Sequence, residues 1–147
     1  MADAVDAEVE LPLGVDELAA LVDRRAGCLD EVDTAHLVHW DLWDPNVFVD
    51  ADTLEVVGLV DFERVLWGDP LMEAQFLGKR EDDSVSGAYG TPLFSAPHAA
   101  DRRRLYDLYL ALVMTVECAY RNYPTDDIEG VARPMLAAAI DELQTTA

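Results

Sequence analysis

His39-Trp40-Asp41-Leu42-Trp43-Asp44-Pro45-Asn46 is the stretch on which the reading of this chain turns. It sets a carboxylate, Asp41, between bulky neighbours and places an amide, Asn46, five residues later. Val47-Phe48-Val49 follows as a short β-branched and aromatic run. Asp50-Ala51-Asp52-Thr53 then reads as a turn, and Leu54 to Val60 as a second strand. An antiparallel hairpin brings its two ends together. Asp61, just beyond the second strand, is therefore expected beside Asn46 although fifteen residues separate them. An amide oxygen and a carboxylate oxygen at one spot suit a hard cation such as Mg²⁺. Asp41 is the candidate base, and Asn46 and Asp61 are the candidate cation ligands.

Outward from this core, Thr34 to His39 reads as a strand leading into the loop. Asp69 reads as an N-cap with Pro70 at the first helical position of a short helix ending near Gly78. Val15, Leu18, Val22 and Ala26 fall at helical spacing, which predicts a helix over 15–26 with Gly27 as its stop. A long helix is expected from Ala99 to Asn122, ended by Pro124, with an apolar stripe of Leu105, Leu108, Tyr109, Leu112, Val116 and Ala119. Its Tyr and Met residues are assigned to the core. A last helix should run from about Thr125 to Leu143, with Pro134 inside it. Residues 79–97, rich in Gly, Pro and Ser, read as a loop whose acids Glu81, Asp82 and Asp83 are candidates for meeting an amine-rich substrate. Residues 1–13 form an acidic arm, and 14–147 one α+β lobe, mainly helical with a small β-hairpin.

Asp61-Phe62-Glu63 completes a pattern. His-x-Asp-Leu-x-x-x-Asn, then Val-x-Val, then Gly58-Leu59-Val60-Asp61-Phe62-Glu63-Arg64 and Trp67-Gly68-Asp69-Pro70 resemble the aminoglycoside phosphotransferase family. The resemblance is strongest over residues 36–77. It implies the C-terminal lobe of the protein-kinase-like fold. It also implies an enzyme that moves the γ-phosphate of ATP or GTP, with Mg²⁺, to a hydroxyl of a small molecule. Residue by residue, Asp41 would be the catalytic base, Asn46 and Asp61 the magnesium and nucleotide ligands, and His39 a structural support for the loop. Three positions depart from the pattern. Trp40 stands where most of the family has Gly. Trp43 occupies the place of a phosphate-binding Lys in protein kinases. Asp44-Pro45 replaces the usual turn.

The nucleotide-gripping N-terminal lobe is expected to be absent. About 38 residues before His39 are too few for a five-stranded sheet and a helix. No G-x-G-x-x-G occurs, and the only lysine, Lys79, follows the catalytic loop. The chain then reads as a piece of a longer protein, a frame with a misplaced start, half of a split enzyme or a one-lobe protein. Its expected partners are a small hydroxyl substrate and a separate N-terminal lobe or another copy. A second function class stays open: an isolated non-catalytic lobe that binds a partner.

Net charge is −20 over 147 residues, with 30 acids against 10 bases. That balance excludes nucleic acid, which needs a basic footprint, and an anionic membrane surface. No secretory signal or apolar span is present in the sequence, so a cytoplasmic location is expected. Cys28 and Cys118 lack a C-x-x-C spacing and read as free thiols, and the three histidines lack zinc spacing. The acids run along the whole chain, which points to an acidic surface kept soluble in a salt-rich cytoplasm; a site for a cationic substrate is the other reading. Self-repulsion at low ionic strength is screened within ~3 Å at 1 M salt. The melting temperature should therefore rise as KCl goes from dilute to molar, and rise more than an uncharged osmolyte makes it. A melting temperature indifferent to KCl would leave the cationic-substrate reading as the better account of the charge.

Overall fold

The computed structural model describes residues 9–76, 93–121 and 127–145. The chain forms two compact units: residues 31–99, and residues 1–30 together with 100–147.

The 31–99 unit holds two small antiparallel sheets. Strand β1 (His36–Val38) pairs with β4 (Leu66–Gly68) in the register His36↔Gly68, Leu37↔Trp67 and Val38↔Leu66. Strand β2 (Val47–Val49) pairs with β3 (Val56–Leu59), with an irregularity between Phe48 and Val49. The second strand of this hairpin is shorter than the expected 54–60. Leu54 takes φ 59°, and its N–H donates to the Asp50 carbonyl at 2.9 Å, so it belongs to the turn. Asp50 organises that turn, because its Oδ1 accepts from the N–H of Asp52 and of Thr53 at 3.0 and 2.9 Å. These bonds hold the Asp50 carboxyl below its ordinary range. Strand β4 is not expected from the sequence, because Val65-Leu66-Trp67 has no alternation to mark it.

Asp69 does cap the segment that follows. Its Oδ1 accepts from the Leu71 N–H at 3.0 Å, and Pro70 opens the turn. The helix is a 3₁₀ helix, Pro70–Gln75, packed against β1. The expected end near Gly78 lies outside the described residues. Gly68 allows close packing here, since a Cβ at that position would sit 2.7 Å from Leu66 Cδ1 and 3.2 Å from the Met72 sulfur, and those side chains would have to shift. Among the described residues, Val38, Trp40, Leu71, Met72, Ala74, Leu93 and Ala99 are buried apolar residues of this unit.

The other unit is helical. Helix α1 (Val15–Asp23) opens with the Glu17 carboxylate accepting from the Gly14 N–H at 3.0 Å. It stops three residues before the expected Ala26. There the Arg25 N–H turns to Val22 and the Cys28 N–H to Arg25, and a 3₁₀ turn over Ala26–Glu31 takes over. Helix α2 (Ala99–Arg121) and helix α3 (Asp127–Thr145) follow, the latter continuing through Pro134. Leu18 and Leu21 of α1, Leu105, Leu108 and Ala111 of α2, and Leu136, Ile140 and Leu143 of α3 form the core. The Arg25 guanidinium donates to the Leu143 carbonyl at 2.6 Å and ties the segment after α1 to the end of α3.

The apolar stripe of α2 is divided. Its buried line runs through Leu105, Leu108, Ala111 and Thr115. Tyr109, Leu112, Val116 and Tyr120 instead line an open groove of about 920 Å³ with Leu18, Val22 and Leu29. Tyr109 and Tyr120 are exposed, so their assignment to the core is corrected. Arg102 is buried rather than solvated, while Arg103 pairs with Asp107 at 3.8 Å and Arg104 with Asp101 at 3.0 Å. Cys28 and Cys118 are free and half-buried, and burial pushes both thiols up. No helix among the described residues is long and apolar enough to cross a membrane.

Candidate active site

The site is assembled where β1 runs out. His39 and Trp40 leave the strand with both N–H groups aimed at one carboxylate. Glu73 Oε1 accepts from the His39 N–H at 2.6 Å, and both Glu73 oxygens lie 3.3 Å from the Trp40 nitrogen. Glu73 is 1% exposed. The double acceptance matters because Trp40 has φ 57°, the left-handed region that a bulky L-residue enters at a cost of about 1–3 kcal/mol. Most of the resembling family has Gly at this position, a residue free of that cost. In this chain the strain is held by the Glu73 bonds and by burial of the indole, which is 4% exposed.

The loop then presents Asp41, half-buried, and closes on itself. Asp44-Pro45-Asn46 makes a 3₁₀ turn, with the Asn46 N–H donating to the Trp43 carbonyl at 2.9 Å. The buried Asn46 side chain donates through Nδ2 to the Asp41 carbonyl at 3.0 Å and to Asp41 Oδ2 at 3.3 Å. Asp41 is thereby oriented by the residue that sequence spacing pairs with it. The amide turns its donor end to Asp41, which leaves Oδ1 as its acceptor end.

Val60 fastens the loop to the Asp61 segment from two sides. Its N–H donates to the Asn46 carbonyl at 3.1 Å, and its carbonyl accepts from His39 Nε2 at 2.9 Å. That bond puts the imidazole proton on Nε2. The His39 ring also stands against Phe62, with centroids 4.7 Å apart. His39 thus touches Val60 and Phe62, the two neighbours of Asp61. Asp61 itself is exposed and adopts φ 62° and ψ 61°, a left-handed conformation tolerated by Asp better than by most residues. It turns the chain from β3 into a 3₁₀ turn, Phe62–Arg64, which returns the Arg64 guanidinium to 3.8 Å from Asp41 Oδ1.

Burial raises the Asp41 carboxyl above its ordinary range. The Arg64 charge opposes that rise, and the Asp61 and Glu63 charges add to it. A raised carboxyl is a stronger proton acceptor once ionised, which suits a general base. The expected cation ligands, Asn46 and Asp61, are an amide oxygen and a carboxylate whose segments are joined by the Val60 N–H to the Asn46 carbonyl. Among the described residues no group of three His, Cys, Asp or Glu converges on a metal position. Two protein oxygens fit Mg²⁺, which keeps waters and takes substrate phosphates as its other ligands.

Glu73 and Arg64 are the residues that sequence reasoning missed. Glu73 carried a signal: an acid inside the apolar run Leu71-Met72-Glu73-Ala74 must find donors if it is buried. Arg64 lies in the motif that carries the resemblance, but its contact with Asp41 was not readable there, because it depends on the turn at Asp61. Lys79, Glu81, Asp82 and Asp83 lie outside the described residues. Neither curated proteins nor solved structures match this chain. The loop, the hairpin, Asp61 and the Asp69 cap all fall inside residues 2–112, which match the sequence model of the phosphotransferase enzyme family, so the chain belongs to that family.

Proposed function

We propose that this chain is the catalytic lobe of a Mg²⁺-dependent phosphotransferase that moves the γ-phosphoryl group of ATP or GTP to a hydroxyl of a small molecule. The observation that carries the reading is the bonded frame around Asp41: Asn46 orients its carboxylate, and Val60 joins that loop to Asp61. Asp41 takes the proton of the acceptor hydroxyl, the hydroxyl oxygen bonds to the γ-phosphorus, and the bond to the bridging oxygen breaks toward the nucleoside diphosphate. Asn46 and Asp61 would hold Mg²⁺, which neutralises phosphate charge when bound. A glycine-rich cover and its lysine, which these 147 residues do not hold, would come from an N-terminal lobe outside them.

Calorimetry with Mg²⁺ and nucleotide tests the metal assignment. The unaltered chain should bind weakly, and Asp61→Ala should weaken binding by about 10–100-fold, the scale of one charge-assisted contact. Equal affinity in the two proteins would remove Asp61 from the metal site.

A second reading, a lobe that docks on a partner without catalysis, is favoured by one feature of the 31–99 unit. Its small sheets leave large apolar residues open, among them Trp67 at 72%, Val57 at 66% and Phe48 at 53% exposure. Large apolar residues left exposed on the sheets are candidates for a contact face. Adjoining coding sequence with strands, a glycine-rich turn and a lysine would favour the enzyme, and its absence the docking module.

A further inference from the structure

The catalytic loop carries no cation of its own, since Trp43 stands in the middle of Asp41-Leu42-Trp43-Asp44-Pro45-Asn46. Arg64 is the only Lys or Arg among the described residues of the 31–99 unit, and its guanidinium sits beside the candidate base. We infer that Arg64 is a catalytic residue that meets the oxygens of the phosphoryl group in transfer, an inference that rests on the phosphotransferase reading above.

Three features of the geometry support it. First, Arg64 is placed by the site itself. Asp61 turns the chain in a left-handed conformation, and Phe62–Arg64 follows as one 3₁₀ turn. That turn brings the Arg64 guanidinium back to the loop, 3.8 Å from Asp41 Oδ1. Second, the pair with Asp41 is partly withdrawn from water, the two side chains being 15% and 17% exposed. A charge there acts through a lower effective dielectric than on the open surface. Third, the pair is loose. Its N–O distance of 3.8 Å exceeds the 2.7–2.9 Å of a charge-assisted hydrogen bond. The guanidinium stands at ion-pair distance from Asp41, and its planar fork matches two oxygens of a phosphoryl group.

The chemistry asks for such a group. As the acceptor oxygen bonds to phosphorus and the bridging bond breaks, charge is spread over three equatorial oxygens. Asp41, Asp61 and Glu63 are all acids, so beside any Mg²⁺ the protein itself can answer that charge there only with a cationic side chain. Arg64 lies 3.8 Å from Oδ1 of the carboxylate proposed to take the acceptor proton. That position is next to the acceptor oxygen and hence next to the phosphorus in an in-line arrangement.

The experiment is calorimetry on the full chain with ADP and Mg²⁺, with and without fluoroaluminate, which imitates the phosphoryl group in transfer. In the unaltered chain, fluoroaluminate should tighten ADP binding by about 10–100-fold. Arg64→Gln should bind ADP and Mg²⁺ within about threefold of the unaltered chain and lose the tightening, because the fork acts only on the transferred group. Arg64→Lys, which keeps a charge without the fork, should retain part of it. It also serves as the deciding variant if thermal melts show that Arg64→Gln fails to fold. Full tightening in the deciding variant overturns the role of Arg64, and so does absence of tightening in an unaltered chain that binds ADP. An unaltered chain that binds no nucleotide overturns the phosphotransferase reading, and the inference with it.

Discussion

Asp41→Ala is expected to lower phosphoryl transfer by about 10²–10⁴, the usual cost of removing one positioned base. The measurement is nucleotide hydrolysis or transfer by the chain joined to a nucleotide-binding lobe, since the lobe alone should turn over poorly. The loss should appear without loss of fold. Asp41 is half-buried, and its ion pair with Arg64 spans 3.8 Å. A partly exposed pair of that length contributes at most about 1 kcal/mol. The Asn46 Nδ2 group keeps the Asp41 carbonyl as its nearer acceptor, at 3.0 Å, when the side chain is truncated. Thermal melts of the two proteins should therefore nearly coincide while their rates separate by orders of magnitude. Asp41→Asn preserves shape and polarity but cannot take a proton, and it should be as slow as Asp41→Ala. Full activity in either variant would place the base elsewhere and undo the assignment of Asn46 and Asp61 that rides on it.

Glu73→Ala should act in the opposite manner, through stability. Its carboxylate is the acceptor for the backbone N–H groups of both His39 and Trp40. Truncation leaves these two donors without it in a buried setting, at about 1–3 kcal/mol each, and opens a cavity besides. A total of about 2–6 kcal/mol is comparable with the whole stability of many domains. It also releases Trp40 from the bonds that hold its left-handed backbone, so the loop carrying Asp41 should relax. Chemical denaturation should show a large drop in midpoint or an unfolded chain. Glu73→Gln keeps one acceptor oxygen and should fall between the two. A Glu73→Ala protein as stable as the unaltered chain would mean that water or another group satisfies both N–H groups equally well.

What the sequence determined by itself is what short-range chemistry encodes. Asp69 and Pro70 announce a helical start, and Asp50 to Thr53 announce the turn that pairs Val47–Val49 with Val56–Leu59. The apolar spacing of 15–22 and of 99–122 announces helices, because one buried face of a helix repeats every three or four residues. That the Asn46 and Asp61 segments meet was legible because a hairpin is a local structure whose ends come together, as the bond from the Val60 N–H to the Asn46 carbonyl shows.

Tertiary structure alone decided the rest. Strand β4 exists by pairing with β1, about thirty residues earlier in the chain, and no local pattern marks a three-residue strand formed that way. Glu73 reaches His39 across 34 residues because the 3₁₀ helix packs on β1. The left-handed backbone of Trp40 is held by that distant carboxylate together with burial of its indole. The side of α2 that is buried was settled by which neighbours were there to cover it, which is why Tyr109 and Tyr120 stand open while Thr115 does not. Periodicity marks a helix's apolar residues, but burial is a property of the surface opposite. Arg64 meets Asp41 through a backbone turn at Asp61, a conformation that its neighbours in space select from the few open to it.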